Sequence, residues 1–163
     1  MNNLIKLADL EKKKWTEADF EEMGWHDNKI YAMAFGLNEY EITFDIDYIL
    51  KWTNPEENET HFKFIVVPAV LVFRNVYDLN ISFSLLEVTI EDIFRDNPTI
   101  PKNAAFIEEQ VEYDWTIETT NGEITFKSVG YRQYAKQKPI WTDNQSIDMP
   151  ERGGISFNVS FEL

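Results

Sequence analysis

The chain has 163 residues, 44% of them hydrophobic, 27% charged and 15% aromatic, a globular composition long enough for one domain spanning 1–163 and unlike that of a disordered chain. Its 15 Lys and Arg against 29 Asp and Glu give a net charge of −14, which repels phosphate backbones and anionic lipid. Nucleic acid and membrane are therefore excluded as expected partners, a basic protein fits the field, and the absence of cysteine removes disulfides, thiolate chemistry and Cys-based zinc sites.

The first twenty residues carry Lys6, Asp9, Glu11, Lys12, Lys13 and Lys14 with no apolar block of the kind a secretory leader needs, so a soluble cytoplasmic protein is expected. Thr16 followed by Asp19 is a variant capping box, and Gly24 stands where a C-cap would close a short helix buried through Trp15, Phe20 and Met23. The period then changes. Lys29 to Phe35 reads as a strand, Gly36 to Asn38 as a turn, and the next run alternates cleanly. Tyr40, Ile42, Phe44 and Ile46 take one face; Glu41, Thr43, Asp45 and Asp47 take the other, toward water.

Residues 53–60 read as a polar loop. Phe62 to Phe73 is predicted as a strand pair or one bent strand, with Pro68 marking an edge, bulge or bend. Further strands are expected over Asn80–Phe83 and Leu86–Ile90, and a loop from Asp96 to Asn103. Gln110 to Thr119 and a return through Ile124 and Phe126 to Tyr134 form a hairpin, with Asn121-Gly122 as its type I′ turn and Gly130 as a bulge. A loop over 136–152 precedes a last predicted strand, Ile155 to Phe161, with Ile155, Phe157, Val159 and Phe161 on one face. The fold expected is mainly β: an antiparallel sandwich or flattened barrel of about eight to ten strands with a short N-terminal helix.

Two groups of residues suggest chemistry. His26 lies beside Asp27 where helix passes into strand, and Asp45 and Asp47 share one strand face with Tyr48 and Trp52 close behind. A cleft of His26, Asp27, Asp45, Asp47, Tyr48 and Trp52 would suit a small ligand, a divalent metal or hydrolysis, because imidazole and carboxylate are ligands and proton carriers. No nucleophile elbow, phosphate loop, His-Glu-x-x-His or calcium-loop spacing supports this, and no cofactor is implied. The second group is acidic and aromatic. Glu87, Glu91 and Asp92 make one acidic stretch, Glu108, Glu109, Glu112 and Asp114 another. Tyr31, Tyr113, Trp141 and their like offer anchors for a docking face if exposed.

Trp25-His26-Asp27 followed by the alternating hairpin resembles small bacterial β-proteins that open with an aromatic-His-Asp triplet, some of them immunity proteins of polymorphic toxin systems. The resemblance covers residues 23–50 and implies a compact, non-catalytic binder. The expected function is thus a protein-binding module, an immunity-type inhibitor in its sharpest form, with the His/Asp cleft as the alternative and self-association of a flat aromatic surface as a third.

Overall fold

The structure is a computed structural model that describes residues 7–159. Strand β1 (Lys14–Thr16) leads into a 3-10 helix, Glu17–Glu22. Then follow β2 (Lys29–Phe35), β3 (Ile42–Thr53), β4 (Lys63–Arg74), β5 (Tyr77–Phe83), β6 (Val88–Thr99), β7 (Glu112–Thr119), β8 (Gly122–Ser128), β9 (Gly130–Ala135) and β10 (Ile140–Thr142), with a 3-10 turn at Ala104–Phe106. All pairings are antiparallel and join the ten strands in one sheet, ordered β1-β9-β4-β3-β2-β6-β7-β8-β5, with β10 beside β4.

The sheet is not closed into a barrel. It folds over instead, because β4 runs into β5 and β8 into β9 around a corner at Asn75–Val76 and Val129. The halves β1-β9-β4-β3-β2 and β6-β7-β8-β5 then face each other like the layers of a sandwich, with β2 pairing to β6 where Lys29 and Ile30 meet Thr89 and Val88. Aromatic rings fill the space between them. Phe73 of β4 lies 5.1 Å from Trp115 and 4.7 Å from Phe126, both edge-on, and Trp115 lies 5.9 Å from Tyr131. Such tilted contacts suit the ring quadrupole and add to large buried areas.

The short helix is present as a single 3-10 segment, held by the predicted box: Thr16 caps it and Asp19 accepts from the Thr16 N–H at 2.9 Å. Gly24 does not close it; the segment ends at Met23 in extended conformation. Pro68 sits mid-strand in β4 without breaking a ladder. Its carbonyl accepts from Lys136 N–H, so its missing donor points into the gap between β9, which pairs to Ala69, and β10, which pairs to Val66.

Three local expectations are corrected. β6 continues to Thr99, because Pro98 falls in the irregular register between Asp96 and Thr99 and blocks no pair. The β7–β8 turn is Thr120-Asn121, since Thr119 pairs with Gly122. Gly122 serves another purpose: at φ +146 a Cβ there would lie 1.8 Å from the Ser82 carbonyl oxygen, so glycine lets β5 approach. Lastly, 155–159 form no strand, while Ser160 and Phe161 lie outside the described residues.

Candidate functional site

Alternation in β3 sends Phe44, Ile46 and Tyr48 into the aromatic core, and Asp45, Asp47 and Ile49 to the opposite face. That second face does not meet water, contrary to the sequence-based expectation. The chain from Lys136 to Ser156 crosses it as a strap, and Asp45 and Asp47 are both 0% exposed. Two burials on one strand follow from one cause, the return of the chain after β9 over the outside of β3 and β4.

The strap carries its own counter-charges. Arg152 Nε donates to Asp47 at 3.1 Å, while its two terminal nitrogens donate to Asp45 at 2.7 and 3.2 Å. The remaining guanidinium donors reach the carbonyls of Gly154 and Ile46, so all five are used. Lys136 adds a 2.7 Å ion pair to Asp45, and the Ser156 N–H a 2.9 Å bond. Asp47 also accepts from Tyr31 O–H at 2.8 Å and Ile147 N–H at 2.7 Å. The Tyr31 ring meets two cations, Arg152 at 3.8 Å from its centroid and Lys29 at 4.9 Å. Gly153 and Gly154, both at positive φ, turn the chain sharply enough for Arg152 and Ser156 to reach the same carboxylate.

Two carboxylates and two cations make a neutral group in which every carboxylate oxygen accepts a hydrogen bond, the form in which buried charge is tolerated. Burial pulls the Lys136 pKa below its ordinary value, against the pull of Asp45. Burial also lowers that of Arg152, but its bonds and charges with Asp45 and Asp47 outweigh this and raise it. Burial and the Asp47 charge hold Tyr31 protonated well above the usual phenol range. With each carboxylate oxygen already accepting at least one bond, the group works as a lock between strap and sheet.

The expected cleft is not assembled as one site. His26 is exposed; its Nδ1 donates to the Glu91 carbonyl at 2.9 Å, and Nε2 lies 3.4 Å from Asp27. Its pKa is raised by that hydrogen bond, with burial opposing and the charges of Asp27, Glu91 and Asp92 adding. Asp27, at φ 64, accepts from Gln145 at 2.8 Å and so ties the β2 entrance to the strap. Tyr48 belongs to the core beside Trp15 and Trp25, and burial pushes its pKa up to about 12. Trp52, past a register shift in β3, stacks edge-on against Phe62 and Phe64. Phe62 and Phe64 also border an open groove of about 880 Å³ between residues 58–64 and 143–145. Among the described residues, no group of three or more His, Asp or Glu is placed to hold a metal ion.

The feature that the sequence reading missed lies on the other half. Ile117 and Ile124 point into the core, so their neighbours Glu118 and Glu123 point outward and are exposed among the described residues. The register sets Asp92 opposite Glu118, Glu118 opposite Glu123, and Glu123 opposite Ser82. Three carboxylates therefore stand side by side on β6, β7 and β8, with Cβ atoms about 5 Å apart in such pairs. No ion pair with any of the three is formed among the described residues. Leu85, Leu86 and Phe94 are exposed on the same half, Leu86 almost completely at 98%. The acidic stretches were visible in sequence, but which acids stand abreast is set by strand register alone.

No helix among the described residues is long and apolar enough to cross a membrane. In comparisons with known proteins, no family model matches the chain, and no curated protein or solved structure is significantly similar to it.

Proposed function

We propose that this protein is a non-catalytic module that binds a basic protein partner through the open face of β5–β8. The carrying observation is the row Asp92, Glu118 and Glu123, held abreast with no ion pair among the described residues. Like charges directly opposite one another destabilise a sheet, so the fold bears a cost there. The same chain neutralises Asp45 and Asp47 with Arg152 and Lys136, so an acid row left open stands in contrast to its own practice elsewhere. A Lys- or Arg-rich surface would relieve the repulsion on docking, and opposite fields would speed the encounter. The resemblance over residues 23–50 implies a compact non-catalytic binder, and an immunity-type inhibitor is the sharpest form of that reading.

The test compares charge reversals at equal net charge. Wild-type protein, Glu118→Lys and Glu56→Lys, the last in the β3–β4 loop, are used to capture proteins from the source cell at low salt. A basic protein retained by wild type and Glu56→Lys but lost by Glu118→Lys supports the reading. Capture of none, or equal loss in both variants, refutes it.

A further inference from the structure

The open face ends at β5, which among the described residues pairs only with β8. Residues 78–82 are all exposed, so among the described residues nothing covers this edge. Its hydrogen-bonding phase can be read from one contact. Ser84 N–H donates to the Asn121 carbonyl at 2.8 Å, across the paired residues Phe83 and Gly122. In an antiparallel ladder that makes Phe83 and Gly122 a non-hydrogen-bonded pair and turns the Ser82 backbone toward Glu123. Ile81 and Phe83 consequently aim their N–H and C=O groups away from β8, at the free edge.

Edge strands are usually blunted by Lys, Pro, a bulge or a very short span. The opposite end of this sheet follows that rule, with the three residues of β1. β5 has an irregular register at Asp78, but Leu79-Asn80-Ile81-Ser82-Phe83 carries no charge and no proline. On the outer face the acid row runs Asp92, Glu118, Glu123 and then Ser82, so the next place in that row belongs to a strand not yet present. On the inner face Ile81 stands beside Ile124 and ends an apolar row.

From these rows we infer that β5 accepts an extended segment of the basic partner as an added antiparallel strand. The segment alternates Lys or Arg, on the face of Ser82 and Glu123, with apolar residues on the face of Ile81. This inference rests on the reading of the open face as a receptor for a basic protein, and it adds mode, edge and register. A basic residue opposite Ser82 would lie two strand spacings, about 9.6 Å, from Glu123, a gap that extended lysine and glutamate side chains close between them. Main-chain hydrogen bonds to Ile81 and Phe83 supply affinity, and the two rows supply specificity.

The probe is a capped heptapeptide, Lys-Val-Lys-Val-Lys-Val-Lys, titrated by calorimetry into the whole protein. Two analogues are N-methylated, one on the valine amides that would face β5 and one on the lysine amides that would face solvent. Valine methylation and Ile81→Pro each weaken binding about tenfold, since each removes an edge hydrogen bond and its register. Lysine methylation leaves binding intact, and Ile81→Pro breaks no bond to β8 because the Ile81 N–H points outward. Binding that survives valine methylation overturns strand addition, yet leaves a charge-driven partner standing. Absence of any peptide binding also overturns it, whereas the capture experiment alone decides the reading beneath. A wild-type dimer in sedimentation that Ile81→Pro dissolves would make a second copy the occupant and refute the basic segment.

Discussion

Replacing Arg152 with methionine keeps an unbranched stem in place of the aliphatic part of the side chain and removes the guanidinium with its charge and every donor. Asp45 loses two hydrogen bonds and keeps Lys136 and the Ser156 N–H; Asp47 loses one and keeps Tyr31 and the Ile147 N–H. The buried group passes from neutral to a net −1, with Asp47 lacking any cation. At an effective dielectric of about 20 each of the two charge pairs is worth about 4 kcal/mol at 4 Å, and relief from burying the guanidinium offsets part of that sum. Breaking one side of a buried pair costs about 3–5 kcal/mol, a large share of the roughly 5–15 kcal/mol that holds a protein folded. In urea, followed by tryptophan fluorescence, the midpoint falls by about 2 M at an ordinary slope of about 2 kcal/mol per M. Amide exchange at Ile147 and Ser156, which donate to the two carboxylates, accelerates at the same time. Arg152→Lys fails to restore stability, because an ammonium cannot span both carboxylates as the guanidinium fork does. A loss below about 1 kcal/mol, with Ile147 and Ser156 still protected, would refute the strap as a charge-locked element.

Lys136→Met costs far less than Arg152→Met, because burial of Lys136 outweighs its attraction to Asp45; equal urea midpoints for the two variants would contradict this. A lysine whose folded pKa is depressed binds fewer protons folded than unfolded, so its contribution improves as pH rises from that depressed value toward 10.5. The tyrosines act in the opposite direction. Tyr31, Tyr77 and Tyr131 have raised pKa values and Tyr48 one of about 12, so the stability they contribute is complete below pH 10 and is lost as pH rises through their folded values. Absorbance at 295 nm should show these phenols ionising only together with alkaline unfolding; early, reversible ionisation of all of them would contradict their burial. Glu118→Gln stabilises the free protein by about 0.5 kcal/mol, reduced by solvent screening, while weakening its hold on a basic partner. Thermal melts at low and high salt measure the first effect, and a variant less stable than wild type at low salt would count against the strained row.

Much of the fold is legible without coordinates because two-residue alternation is a local property. Ile42, Phe44 and Ile46 announce a buried strand face wherever the rest of the chain lies, and the capping box at Thr16 and Asp19 needs only its own turn. Alternation says which residues share a face. It is silent on what covers that face, and here both faces of β3 are covered. Asp45 and Asp47 read as solvated acids, or as metal or proton ligands, because their partner Arg152 stands 107 and 105 residues away.

The composition and charge pattern by themselves determined a β-rich chain with an acidic surface and no disulfide chemistry, since those properties depend on which residues are present. Tertiary structure alone decided the rest. It buried one acid pair beneath cations from a distant strap, and it set Asp92, Glu118 and Glu123 abreast on an exposed face that ends, among the described residues, at the edge strand β5. The physical reason is that electrostatic energy depends on distance and burial, and residues far apart in the chain acquire both only when strand register and the path of the strap are set.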